Sequence, residues 1–342
     1  MALLWLEGFE GFGTTIGNDP LPFGAIARKY INVVNETNMV LKAGRIAGYS
    51  LQMPNAATFH THALTTNATM VAGCAFLPQS GTDYSIMIFW DGPADKNMNI
   101  RWDDGTGEIS VWRENTLLAT TSGLGLSAGN WYYAELKAVT HNSNGSYEAR
   151  INGVNVLSDS GIDTQTGANA YSDSVRFFGA SSNPAWDDIY ILDATGSINT
   201  DFLGNCKIVA IVPNGDDTAN FGTSTPNASH YANVDENPSD DDTSYVEDGT
   251  ANITDLYDYE DLVGSGSIGG IQINTMCRET DITPFNLVTP IESNGTQYDD
   301  AGVAIGSTSY VTKTRVVEAD PNTSVAWTYA GVNAAKIGIK VG

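Results

Sequence analysis

Three observations on this chain of 342 residues predict an all-β fold. Short runs alternate apolar and polar residues with a period of two, turn pairs rich in Asn, Asp, Ser and Gly separate them, and helical periodicity is nearly absent. The thirty-five glycines supply the positive φ angles that many tight turns require. Only 16% of residues are charged, against a usual figure of about 25%, so Asn, Thr, Ser and Gly make up much of the polar surface.

Leu4, Leu6, Phe9 and Phe12, interleaved with Gly8, Gly11 and Gly13, predict a first strand running into a loop, and Pro20 and Pro22 exclude a helix there. Residues 27–33 and 48–53 flank Gly44-Arg45-Ile46-Ala47 and predict two more strands. Residues 69–76 and 84–90 are apolar enough for central strands. The next pair, 97–102 and 108–113, is joined by Asp103-Asp104-Gly105-Thr106-Gly107, a meander that favours a sandwich over an α/β arrangement.

The segment 131–193 organises this half. Trp131 to Lys137 alternates strictly, which turns Glu135 and Lys137 toward water and Tyr132, Ala134 and Leu136 toward the core. After the polar turn 141–145, Tyr147, Ala149 and Ile151 alternate with Glu148 and Arg150 as far as Asn152-Gly153, the dipeptide suited to a two-residue hairpin turn. Val154 and Val156 begin the return strand. A loop over 163–172 leads to Val175-Arg176-Phe177-Phe178, and Trp186-Asp187-Asp188-Ile189-Tyr190-Ile191-Leu192-Asp193 closes the unit.

On these residues the chain resembles the concanavalin A-like (laminin G-like) jelly rolls of tailed-bacteriophage structural proteins: a strand opening on Trp131, the Asn152-Gly153 hairpin, and the closing run 186–193. The resemblance continues through Thr195-Gly196-Ser197, Asp201-Phe202-Leu203-Gly204, Pro213-Asn214-Gly215-Asp216, Asp320-Pro321 and Trp327. It implies a virion protein in which residues 1–196 form the jelly roll and 197–342 a second β-sandwich-like domain. A connector is expected at 195–199.

The second half holds 21 of the 40 acids and only six bases, and no Lys or Arg lies between Lys207 and Arg278. Its part at 214–262 is expected to be an acidic loop, with Asp216-Asp217, Asp235-Glu236 and Asp240-Asp241-Asp242 among polar residues. Regular strands are expected again at 271–277 and 310–317, and the terminal 337–341 is expected to enter a sheet.

A net charge of -24 opposes contact with nucleic acid, where Lys and Arg must replace counterions. No run approaches the ~20 apolar residues of a membrane span, and residues 1–7 lack the pattern of a signal peptide. Cys74, Cys206 and Cys277 form an odd set without metal spacing, so buried, inert thiols and assembly in a reducing host cytoplasm are expected.

Motifs with chemistry are few. Gly264-Ser265-Gly266-Ser267-Ile268-Gly269 spells a dinucleotide fingerprint, but a strand and not a helix follows it. Glu279-Thr280-Asp281-Ile282-Thr283-Pro284 places a proline where a retaining glycosidase needs its second carboxylate. His60 and His62 would share a strand face without a third ligand, and His141 and His230 have no convincing nucleophile. Asp240-Asp241-Asp242 lacks the spacing of a calcium loop. Asp187-Asp188 is expected to face water with one carboxylate and cap a strand end with the other; the resemblance to laminin G-like domains, which can bind calcium at loop edges, leaves Ca²⁺ as the alternative there. Trp131, Trp186 and Trp327 are assigned to the core, which leaves Trp90, Trp102 and Trp112, near turns, as candidates for stacking on sugar rings, with core packing the favoured reading.

The sequence therefore leads to no catalytic, cofactor or metal residues. It leads to a non-enzymatic virion surface protein, tail-associated or capsid-decorating, whose partners are other virion proteins and copies of itself, with a trimer as first expectation. The alternative is an adhesin module for host glycans. Nucleic acid and membrane insertion are not expected.

Overall fold

The computed structural model describes residues 3–13, 21, 24–61, 64, 66–92, 94–280 and 284–342. The chain forms two compact units, Met1–Ile208 and Val209–Gly342.

In chain order the first domain builds β1 (Leu3–Glu7), β2 (Ile31–Val34), β3 (Val40–Ala43), β4 (Tyr49–Gln52), β5 (Thr58–His60), β6 (Thr69–Leu77), β7 (Tyr84–Asp91) and β8 (Asp95–Trp102). There follow β9 (Ile109–Arg113), β10 (Thr116–Thr120), β11 (Tyr132–Val139), β12 (Gly145–Ile151), β13 (Val154–Ile162), β14 (Ser174–Phe178) and β15 (Ala185–Leu192). They form two antiparallel sheets packed as a β-sandwich. The first runs β13-β12-β11-β6-β15-β4-β3 with β1 also on β15, and the second runs β10-β9-β8-β7-β14-β5-β2.

Alternation sends one set of side chains from each sheet inward. Phe76, Leu136 and Trp186 from the first sheet and Phe59, Phe89, Trp102 and Phe177 from the second are essentially inaccessible and belong to one core. The Trp186 indole donates across the sandwich to the Ile86 carbonyl at 2.8 Å, which satisfies the buried N–H. The Asn152-Gly153 turn forms as expected, with φ of 51° and 79°, joining Ile151 to Val154 in register.

Several expectations change. In β1 the buried positions are Leu3, Trp5 and Glu7, so Leu4 and Leu6 sit on the half-exposed face. Glu7 is buried because it accepts from Lys29 Nζ at 2.7 Å and from the Tyr30 hydroxyl at 2.6 Å. Residues 24–29 are turn rather than strand, held by backbone bonds such as Arg28 N to the Gly24 carbonyl at 2.9 Å. Trp131 precedes β11 and is half-buried, while Trp186 and Trp327 are core residues. Glu135 does not face water: it is fully buried, because residues 203–206 return over β11. Gly204 N donates to Glu135 Oε1 at 2.9 Å, and the Tyr190 hydroxyl donates to the same oxygen at 2.5 Å. The expected connector at 195–199 is followed by a segment that still packs on the first domain. Gly73 on β6 leaves room for this arrangement, since a Cβ there would meet the Tyr190 ring at 2.3 Å. Pro20, Pro22, His62 and residues 281–283 lie outside the described residues.

In the second domain a seven-stranded antiparallel sheet is built around Lys336–Val341, which pairs with Thr254–Tyr259, Asn286–Val288 and Ile291–Ser293. Ile271–Cys277 pairs with Val311–Val317, both close to expectation. Ile273, Ile291, Trp327, Val332 and Ile337 make the core, and a short helix, Tyr329–Ala334, carries Val332 into it. The segment 214–262 is not one loop. It includes most of the strand Pro213–Thr218, together with the strands Thr223–Thr225, Tyr245–Glu247 and Thr254–Tyr259. Its acids serve as acceptors for backbone N–H groups: buried Asp255 takes Asn220 N at 2.6 Å and Phe221 N at 2.9 Å, and Asp216 takes His230 N at 3.0 Å. Carboxylates that satisfy loop amides do the ordering that apolar residues do elsewhere.

Candidate functional site

The registers of the second sheet align one residue from each of its seven strands in a single row on the outer face. Leu117 pairs with Trp112, Trp112 with Asn99, Asn99 with Ile88, Ile88 with Arg176, Arg176 with His60, and His60 with Ile31. Paired residues share a face, and the inner face is fixed by Met87, Phe89, Val111 and Phe177 in the core. On one side the next row holds Ser110, Arg101 and Ser85. On the other it holds Lys96, Trp90 and Ser174. None of these residues is acidic.

Long side chains fill the face as stacked cations and rings. The Arg101 guanidinium lies 4.4 Å from the Trp112 ring centre, and Arg176 lies 4.7 Å from Trp90 and 5.0 Å from Phe178. Lys96 Nζ is 5.8 Å from Trp90, and the His60 ring meets Trp90 edge-on at 5.4 Å. Burial beside Arg176 depresses His60 to about 4, with burial the larger cause and Asp173 opposing it. Asn99, fully buried between Trp112 and Ile88 in the row, donates to Ser85 Oγ at 3.0 Å. A depression of about 270 Å³ is lined by Arg101 together with Asn55, Asp83, Ser85, Phe178 and Ser181, so one acid borders it.

The sequence candidates divide accordingly. Trp112 stands half-exposed on the face, Trp90 lies beneath its cations, and Trp102 turns inward and is core. His60 belongs to the face but is buried. Arg101, Arg176, Lys96 and Asn99 were not singled out by sequence reasoning. Their signal is a lone Arg inside an apolar strand, as in Val175-Arg176-Phe177-Phe178, where a cation must lie on the face opposite the core.

The remaining clusters are structural. Asp187 and Asp188 are both buried, against expectation, because Arg45 occupies the space where water was expected. Its Nε and Nη2 donate to Asp188 Oδ2 at 3.0 and 2.7 Å, its backbone N donates to Asp187 Oδ2 at 2.7 Å, and the same guanidinium reaches Asn205 and the Cys206 carbonyl. A bulge with Asp188 at φ 49° turns both carboxylates to this side. Burial and the adjacent Asp188 raise Asp187 to about 7. Burial likewise raises the Cys206 thiol to about 12 and the Cys277 thiol to about 11, which leaves both protonated. Glu279 accepts from Phe285 N and Gly306 N. His230 Nδ1 is 2.6 Å from Asp255, with no nucleophile in the pair. The Gly264–Gly269 string is a turn region that leads into strand. Among the described residues no group of three or more His, Cys, Asp or Glu is arranged to hold a metal ion, and no helix is long and apolar enough to cross a membrane.

No protein-family model matches the chain, and no curated protein matches it. Solved structures similar to part of it include an endo-β-1,4-glucuronan lyase from the fungus Trichoderma reesei, at 14% identity over 51% of this chain and 93% of that one, with a TM-score of 0.36. The alginate lyase Aly36B is 12% identical over 55% of this chain and 96% of its own, with a TM-score of 0.40. Domain 4 of the arabinanase AbnA from Geobacillus stearothermophilus is 16% identical over 45% and 74%, with a TM-score of 0.33. Likeness of this degree carries nothing about activity.

Proposed function

We propose that the chain is a non-enzymatic surface protein of a tailed-phage virion whose first domain holds glycan on the outer face of its second sheet. The virion setting rests on the sequence resemblance. The observation that carries the glycan reading is a set of rows without acids on one sheet face, with half-exposed Trp112 beside Arg101, and Arg176 three strands further along. Sugar rings present apolar C–H faces to an indole and hydroxyls to polar side chains, and a flat sheet supplies both in fixed positions. The absence of acids from these rows leaves hydrolysis by paired carboxylates without its residues there.

A glycan array probed with the purified chain, followed by an assay for new reducing or unsaturated ends, tests this. Binding without new ends is expected. Turnover would overturn the non-enzymatic part, and silence on every sugar would overturn the glycan part.

A second reading, subunit association, is favoured by the edge of the first sheet. β13 runs nine residues, has a neighbour on one side only among the described residues, and leaves Val154 64% exposed. Such an edge pairs readily with another chain. Absence of the protein from intact particles seen by electron microscopy would remove both virion readings.

A further inference from the structure

The two arginines of the face differ from others in the same domain. Arg45, Arg113 and Arg150 each hold a carboxylate, Asp188, Asp163 and Glu148 respectively. Arg101 and Arg176 hold none among the described residues, in a chain where acids outnumber bases forty to sixteen. The Nε atoms of both are buried without a hydrogen-bond partner among those residues, as are Trp90 Nε1 and Asn99 Oδ1. Arg101 makes only a long contact, 3.5 Å, to the Glu114 carbonyl.

Stacking on an aromatic ring does not balance this. A cation over a ring gains less than burial of a charge without an acceptor costs, and burial lowers the pKa of both guanidiniums. Both side chains are half-buried, so part of each fork remains open to solvent. The buried Nε atoms stay out of reach of a ligand, and an incoming anion supplies the missing counter-charge at the Nη ends.

Resting on the glycan reading, we propose that the ligand of this face is an acidic polysaccharide whose ring oxyanions are taken by the forks of Arg101 and Arg176, with Trp112 against a sugar face. Guanidinium geometry matches planar, two-oxygen acceptors. Acids close the face at both strand ends: Asp83 and Asp104 beyond Ser85 and Arg101, and Asp91, Asp95 and Asp173 beyond Trp90 and Lys96. A polyanion along the strands would meet them. It therefore lies across the strands, along the row from Leu117 to Ile31, whose six inter-strand steps of about 4.8 Å give about 29 Å.

Calorimetric titration of the full chain with polygalacturonate, with the same polymer after carboxyl reduction, and with dextran sulfate tests the inference. Polygalacturonate or dextran sulfate is expected to bind at least tenfold tighter than the reduced polymer, the preferred one identifying carboxylate or sulfate as the oxyanion. Arg101→Gln and Arg176→Gln are each expected to weaken the acidic ligand about ten- to a hundredfold, the range for a hydrogen bond to a charged group, and to weaken the reduced polymer by a smaller factor, so that the preference for the acidic polymer shrinks. Trp112→Ala is expected to weaken all. Equal affinity for acidic and reduced polymers would overturn the inference and leave the glycan reading intact; no binding by any polymer would overturn both. Should Arg176→Gln fail to fold, Arg101→Gln and the reduced polymer on the native chain decide it.

Discussion

Replacing Arg45 by Gln removes the cation that, among the described residues, is paired with Asp188 and borders Asp187, whose exposures are 2% and 1%. Two donors to Asp188 disappear, along with the bonds to Asn205 and the Cys206 carbonyl, and two carboxylates remain in a site with little access to water. Breaking a buried pair from one side costs about 3–5 kcal/mol, because the partner charge is left uncompensated. For a domain of this size 1 kcal/mol moves the midpoint by about 2–4 °C, so the expected loss is roughly 6–20 °C. Thermal unfolding followed by tryptophan fluorescence measures it. Without Arg45, one of the influences that lower Asp187 is gone, so its folded value rises further above about 7. A carboxyl raised on folding contributes stability below its unfolded pKa and loses it as pH rises, so the deficit must grow with pH. The double variant Arg45→Gln/Asp188→Asn removes a stranded charge and should regain part of the loss. A shift of less than about 2 °C for Arg45→Gln, independent of pH, would refute the reasoning.

Other expectations follow from the same kind of argument. Burial above all, then repulsion from Asp187, Glu7 and Asp188, raises Glu10 to about 9 against an opposing backbone bond. Its unfolded form ionises near 4.5, so native stability should fall as pH climbs from there toward 9, and Glu10→Gln should flatten that slope in denaturant titrations. His60, depressed to about 4, should remain neutral through the range where a free histidine protonates; its native stability contribution is present above pH 6.5 and lost as pH falls toward 4. Histidine NMR shifts against pH check this, and a midpoint near 6.5 would contradict it. A chain ending at residue 208 should unfold cooperatively at a higher temperature than one ending at 196. The shorter one strips Glu135 of Gly204 N, Tyr190 of Leu203 N and Asp188 of Ile208 N. Equal midpoints would place the segment outside the fold.

Period-two alternation made the sandwich legible, because half-buried strands must sort their side chains by face. The strands at 132–137 and 147–151 and the Asn152-Gly153 hairpin between flanking strands were readable for that reason, whereas those at 69–76 and 84–90 were readable as continuous apolar runs, which strands buried on both faces show. What alternation does not carry is which face a later segment will cover. Glu135 looked solvated from its own strand and is buried by residues some seventy positions on, and Asp187 and Asp188 looked like an open edge until Arg45 closed it. The acidic segment after residue 213 looked like loop because its order comes from carboxylates capping amides, which leaves no hydrophobic period. The row on the second sheet was hidden for a different reason. Asn99 and Trp112 pair on consecutive strands, but Arg176 lies on a strand far from both in sequence, and the registers through Ile88 bring it into line with them.

The claim that this row is the binding surface is tested most directly by the indole N–H resonances of the tryptophans in the presence of an acidic oligosaccharide. Trp112, bonded to Ser110 Oγ at 2.7 Å, and Trp90, whose Nε1 has no partner among the described residues, are expected to shift on titration. Trp186 and Trp327, whose indoles donate to the Ile86 and Val317 carbonyls, are expected to stay in place. Movement of Trp186 or Trp327 with Trp90 and Trp112 unchanged would contradict the account.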